Sequence, residues 1–201
     1  MKLFYKSGTC ALAPHIVARE AGVPLELVAV DLATKKLEDG SDYFAINPNG
    51  YVPALDIGED SVLTEASVCV QYLADQKPES GLMPKAGEPE RYRAQQWLAF
   101  ISTELHKPFG SLFNPSAPEA AKEQTHQHLA KRLAFVDKAL DGKTHLMGDT
   151  FTAPDAYAFT VLSWAPHVGV DLSPYANVVK LQGTIGQRPA VQQALREQGL
   201  A

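Results

Sequence analysis

The sequence predicts an α/β domain followed by an all-α domain, and three observations carry that prediction. The first is the order of signals in residues 1–76: an apolar run, a helical pattern, a second apolar run, a hairpin and another helix. The second is the stretch 77–89, where three prolines and two glycines among charges mark a linker. The third is that only helical periodicity follows it. The domains are therefore placed at residues 1–80 and 87–201.

Residues 2–5 read as a strand, Ser7-Gly8-Thr9 as a turn, and 11–21 as a helix with Ala13, Ile16 and Val17 inward and Gly22 as its stop. Residues 24–30 read as a second strand, which makes the opening a βαβ unit with a parallel pair. A short helix is expected over 42–46, closed by Asn47-Pro48-Asn49-Gly50. Residues 54–57 and 62–63 flank a 58–61 turn as a hairpin, and Thr64 is placed to cap a helix with Val68, Cys69, Tyr72 and Leu73 inward.

Past the linker, Ala94, Trp97, Leu98, Ile101 and Leu105 define one apolar stripe, and Leu129, Leu133, Val136 and Leu140 another. Phe151-Thr152-Ala153-Pro154-Asp155 has the form of a capping box, with Pro154 in the first turn. The helix it opens, 153–162, is apolar nearly all round and belongs at the centre of its domain. Two short helices are expected over 177–185 and 189–197.

With 45% hydrophobic and 20% charged residues in 201, the composition is that of an ordinary globular protein. A net charge of -5 argues against nucleic acid as the main ligand, because phosphate binding needs a basic surface. The N-terminus turns polar at Lys6, too early for a signal peptide, and no apolar run is long enough to span a membrane, so a cytoplasmic location is expected. Two cysteines without a Cys-x-x-Cys pair argue against a disulfide framework. His126 and His128, two apart on a helix, face different sides, and no metal is predicted.

Pro14 is tolerated only near a helix start, which puts Cys10 at the N-terminal end of the first helix. The helix dipole and free amides there are expected to lower the thiol pKa and favour the nucleophilic thiolate. Most free cysteines are small buried hydrophobes, and Cys69, on an inner stripe, is read as one. Without a second cysteine nearby, Cys10 would need an external small thiol to turn over. The strand edge ahead of Pro53, the helix start at Glu65-Ala66, and Lys35 could hold the ends of such a ligand. In the second domain Ala99, Thr103 and His106 share one helix face beside Glu104 and Lys107. That line is either solvated or turned toward Cys10 across a cleft.

Taken together, Gly8-Thr9-Cys10-Ala11-Leu12-Ala13-Pro14-His15, Tyr51-Val52-Pro53-Ala54-Leu55, Leu63-Thr64-Glu65, Glu104-Leu105-His106-Lys107 and 151–155 resemble the cytosolic glutathione S-transferases, and among them the bacterial beta class. The resemblance covers essentially the whole chain. It implies a thioredoxin-like first domain, a cis Pro53, a homodimer, and conjugation of glutathione, as co-substrate, to hydrophobic electrophiles in detoxification. It implies catalytic roles for Cys10 and His106, with Cys10 able to form a mixed disulfide with glutathione. Lys35, Val52, Pro53, Glu65, Ala66, Ala99, Thr103 and Glu104 then join them in binding the tripeptide, some from the other subunit. Phe109, Phe113, Trp164 and His167 would line the electrophile pocket. Ala66 and Ala99 depart from the serine and asparagine that many relatives carry there. The same residues would also serve a glutathione-dependent thiol-disulfide oxidoreductase or a reductive dehalogenase, and the fold a non-catalytic ligand-binding protein.

Overall fold

Strand β1 (Lys2–Tyr5) runs through the middle of a five-stranded sheet of order β3-β2-β1-β4-β5 in the computed structural model, which describes residues 1–59 and 61–201. Asp60, part of the expected 58–61 turn, lies outside the described residues. β1 pairs in parallel with β2 (Glu26–Asp31), setting Leu3 opposite Leu27, and antiparallel with β4 (Ala54–Gly58), setting Leu3 opposite Leu55. β5 (Ser61–Thr64) extends the sheet antiparallel to β4. At the other edge β3 (Lys36–Leu37), a two-residue strand absent from the sequence reading, pairs antiparallel with β2. Helix α1 (Leu12–Ala21) buries every residue from Leu12 to Ala18, because it packs against α2 (Ala66–Asp75) and also against α8 (Pro189–Glu197).

That return of the C-terminal helix corrects the expected boundary of 87–201. One compact unit is Met1–Met83 with Arg188–Ala201, and the other is Pro84–Gln187. Arg188 makes a two-point ion pair with Glu20, at 2.6 and 2.8 Å, and Glu197 accepts from both Arg19 and His15 at 2.7 Å. Gln198 Nε2 lies 3.1 Å from His15 Nδ1, and its carbonyl accepts from Ser7 Oγ at 2.6 Å. His15 is fully buried and its pKa is lowered by that burial. At neutral pH it is therefore uncharged, accepts a hydrogen bond at Nδ1 from the Gln198 side-chain amide and donates Nε2–H to Glu197.

Two details of α2 differ from expectation. Glu65, not Thr64, is its N-cap, because Thr64 is held in β5 opposite Ala54. Val68 is exposed, so the inner stripe is Cys69, Val70, Leu73 and Ala74.

In the second unit α3 (Pro89–Phe100) continues into a π-helical turn, Ile101–His106, and then α4 (Lys107–Leu112). The widened turn has a local cause. Pro108 has no amide hydrogen to return to the Glu104 carbonyl and its ring crowds that carbonyl, so the Lys107 amide bonds Ser102 O, five residues back. The stripe Ala94, Leu98, Ile101 and Leu105 is buried as expected, whereas Trp97 is only partly covered and packs with Phe100 and Phe135. α5 (Glu119–Ala139) buries Leu129, Leu133 and Val136, with Leu140 buried just beyond it. α6 (Ala153–Leu162) is buried at every position, and α7 (Ala176–Gly186) packs against both α5 and α6. The Asp155 carboxylate accepts from the Thr152 amide (2.8 Å), the Thr152 hydroxyl (2.7 Å) and the Leu146 amide (2.8 Å), fixing the start of α6.

Candidate functional site

Cys10 sits just ahead of Ala11, the N-cap of α1, at the end of the turn that leaves β1. Its Sγ–H donates to the carbonyl of Val52 at 3.3 Å, and only 8% of the residue is exposed. The structure reverses the expected effect on its acidity. Burial pushes the Cys10 thiol up from 9.0 to about 12, and the Glu65 charge adds to this, while the amides of Cys10 and Ala11 oppose it without prevailing. A carbonyl acceptor also stabilises the protonated thiol. Cys69 is fully buried, with its thiol likewise pushed up to about 12 by burial, which fits the reading of it as core.

The segment that meets Cys10 is anchored at successive carbonyls. Tyr43 Oη and Asn47 Nδ2 both donate to Tyr51 O, at 2.7 and 2.8 Å, and Lys35 Nζ donates to Gly50 O at 2.7 Å. Asn47 is 3% exposed, and sequence reasoning assigned neither it nor Tyr43 to the site. The Val52–Pro53 bond is cis, and Val52 packs with Phe4, Ala11, Val30, Tyr43 and Ala54. Val52 thus turns its carbonyl to Cys10, while its amide has no partner among the described residues. Lys35 and Glu65 both hold positive φ, 57° and 64°; for Glu65 this costs about 1–3 kcal/mol and presents an exposed carboxylate at the start of α2. No side chain caps α2, so the first-turn amides at Ala66 and Ser67 are available to an anion.

The second unit gathers His106, Tyr157, Trp164 and Phe113. His106 Nδ1 lies 2.6 Å from Tyr157 Oη, and its ring meets Trp164 edge-on at 5.1 Å between centroids. Burial lowers the His106 pKa from 6.5 to about 4, so the ring is neutral at physiological pH. Phe113, half exposed, stacks edge-on against Trp164, whereas Phe109 is wholly buried and belongs to the core, and His167 is exposed on the 3₁₀ turn Ala165–Val168. Thr103 Oγ1 donates back to Ala99 O at 3.1 Å, and the Ala99 side chain offers no hydrogen bond. Glu104 is engaged within its own unit, 2.6 Å from Arg132 Nε and 3.5 Å from His128 Nε2. Among the described residues, no group of three or more His, Cys, Asp or Glu is placed to hold a metal ion. Among the same residues no helix is long and apolar enough to cross a membrane.

The family models for the glutathione S-transferase N-terminal and C-terminal domains match residues 8–76 and 100–189. The chain is 45% identical over 200 residues to glutathione S-transferase GstA of Escherichia coli O157:H7, covering 100% of both chains. Among solved structures it is similar to a sphingomonad glutathione S-transferase complexed with glutathione, with 43% identity, a TM-score of 0.95 and 100% of both chains covered. It is equally similar to the bacterial beta-class glutathione S-transferase of Sphingomonas chungbukensis, with 44% identity, a TM-score of 0.95 and 100% of both chains covered.

Proposed function

The chain belongs to the glutathione S-transferase family, and we propose that it conjugates reduced glutathione to small hydrophobic electrophiles. One observation carries the reading. A cysteine thiol and an unpartnered main-chain amide converge at Val52, so an extended thiol peptide could pair with the backbone while its sulfur meets Cys10. Lys35, Glu65 and the amides at Ala66 supply a cation, an anion and a helix start to receive the charged ends of the tripeptide. His106 and Thr103 are assigned to the same ligand, and Phe113 and Trp164 to the apolar co-substrate. We assign Pro53 to holding Val52 in place, and give Ala99 and Glu104 supporting roles, since the first has no polar side chain and the second is ion-paired. The protein is proposed to act as a cytoplasmic homodimer in detoxification.

Cys10 is further proposed to exchange with oxidised glutathione, its sulfur forming a bond to one glutathionyl group while the other leaves as the reduced thiol. The mixed disulfide so formed is the intermediate that a thiol-disulfide oxidoreductase would need, and the buried, protonated state of Cys10 favours conjugation as the main activity. The test is a pair of assays on wild type and Cys10→Ser: conjugation to an aryl halide, and intact mass after incubation with oxidised glutathione. Conjugation should survive in Cys10→Ser and the glutathionyl mass should be confined to wild type. Failure of the wild type to be retained on immobilised glutathione would sink the enzyme reading in favour of a ligand-binding protein.

A further inference from the structure

The second unit places one buried hydroxyl against the ring of His106. Tyr157, on α6, is 1% exposed, and its oxygen lies 2.6 Å from His106 Nδ1. That separation is typical of an O–H donor and short for an N–H donor, whose usual distance is about 2.9–3.0 Å. Chemistry points the same way, because an imidazole nitrogen is a good acceptor and a phenol the better donor of the two. The opposite edge of the ring is different. Among the described residues nothing bonds His106 Nε2, and it is not among the buried atoms lacking a partner, so it is open to solvent. The ring cannot swivel freely, since Trp164 and Tyr157 meet it edge-on at 5.1 and 5.7 Å.

We propose that Tyr157 is a positioning residue for His106: its hydroxyl donates to Nδ1 and so fixes the tautomer with its proton on Nε2, the edge a ligand can reach. His106 then acts as a hydrogen-bond donor to a bound sulfur and not as the base that removes its proton. A neutral ring, which burial of His106 enforces, is required for this, because an imidazolium would have no lone pair at Nδ1 to receive the hydroxyl. The use made of the tautomer rests on the assignment of His106 to glutathione; the tautomer itself does not.

The experiment separates the two. In the uniformly ¹⁵N-labelled protein, without glutathione, long-range ¹H–¹⁵N correlation of the histidine rings at neutral pH should give His106 an unprotonated Nδ1 and a protonated Nε2. Tyr157→Phe should collapse this to a mixture of tautomers. A protonated Nδ1 in wild type, or the same pattern in Tyr157→Phe, overturns the proposal. In steady-state assays Tyr157→Phe and His106→Ala should each raise the glutathione KM, the latter about tenfold, the loss of one good hydrogen bond. His106→Gln, whose amide reaches toward the place of Nε2–H, should recover most of that loss. If His106→Gln lowers kcat as far as His106→Ala does, His106 is a base and the donor role is overturned. If the tautomer is locked but His106→Ala leaves the KM unchanged, the assignment of His106 to glutathione has failed, and with it this use of the proton.

Discussion

In the free protein Cys10 should be nearly inert to thiol reagents. Moving a thiol from 9.0 to about 12 lowers its thiolate share at neutral pH roughly a thousandfold, and alkylation follows the thiolate. Peptide-resolved labelling with iodoacetamide reads this directly, since Cys10 and Cys69 fall in different tryptic peptides. Cys10 should react at least about a thousandfold more slowly than free cysteine at neutral pH, and its rate should climb about tenfold per pH unit through pH ~9 without a plateau. Glu65→Gln removes a charge that raises the Cys10 pKa, so it should speed labelling while leaving the buried thiol far slower than a free one. Labelling of wild-type Cys10 within tenfold of free cysteine, or a plateau near neutral pH, would refute the reasoning and restore the thiolate expected from position alone.

Burial holds His106 and His15 neutral in the folded state, with His106 at about 4, so the unfolded chain binds more protons than the folded one. The stability they contribute is complete above the ordinary value of 6.5 and is lost as pH falls from there toward 4, by about 1–3 kcal/mol for His106. Urea midpoints taken across that range should fall, and His106→Gln should flatten the curve. Asp155→Ala strands three donors inside the second unit and should cost about 3–5 kcal/mol in urea unfolding. Asp155→Asn, which keeps an acceptor only on one side, should cost less. A Cβ at Gly50 would stand 2.7 Å from Phe44 Cε1 at φ +66°, so Gly50→Ala should lose about 1–3 kcal/mol and weaken glutathione binding through the Lys35 contact. Gly22→Ala, at φ +67° with nothing within 4 Å, should lose only about 1 kcal/mol and leave binding alone.

What the sequence disclosed and what it hid follow from the range of the interactions involved. Leu129, Leu133, Val136 and Leu140 were legible because a helix face repeats locally, and the Thr152 to Asp155 cap because its partners lie three residues apart. The return of α8 was not legible, since Arg19, Glu20, Arg188 and Glu197 look like solvated surface until the two helices meet. The π-turn was half legible: Pro108 interrupts a helical pattern, which signals a fault in the ladder but not how the chain absorbs it. Tyr157 looked like one more apolar residue of a buried helix, and nothing local tied its hydroxyl to a histidine 51 positions away.

Cys10 is the case in which two correct principles compete and magnitude decides. A helix end stabilises a nearby anion by about 0.3–2 kcal/mol, whereas a rise from 9.0 to about 12 corresponds to about 4 kcal/mol favouring the thiol. The larger effect comes from the residues that cover the thiol and from Glu65, which chain order alone does not place. The sign of the outcome changes the chemistry to be expected. A protonated Cys10, its hydrogen directed at the Val52 carbonyl, is no base, and neither is a neutral His106 that receives the Tyr157 hydroxyl at Nδ1. Under the proposed conjugation the negative charge then belongs on the glutathione sulfur and not on the protein, and a hydrogen-bond donor directed at that sulfur lowers its pKa by stabilising the thiolate. Cys10→Ser retains a donor at that position, which is why conjugation is expected to outlast the loss of the protein's own sulfur chemistry.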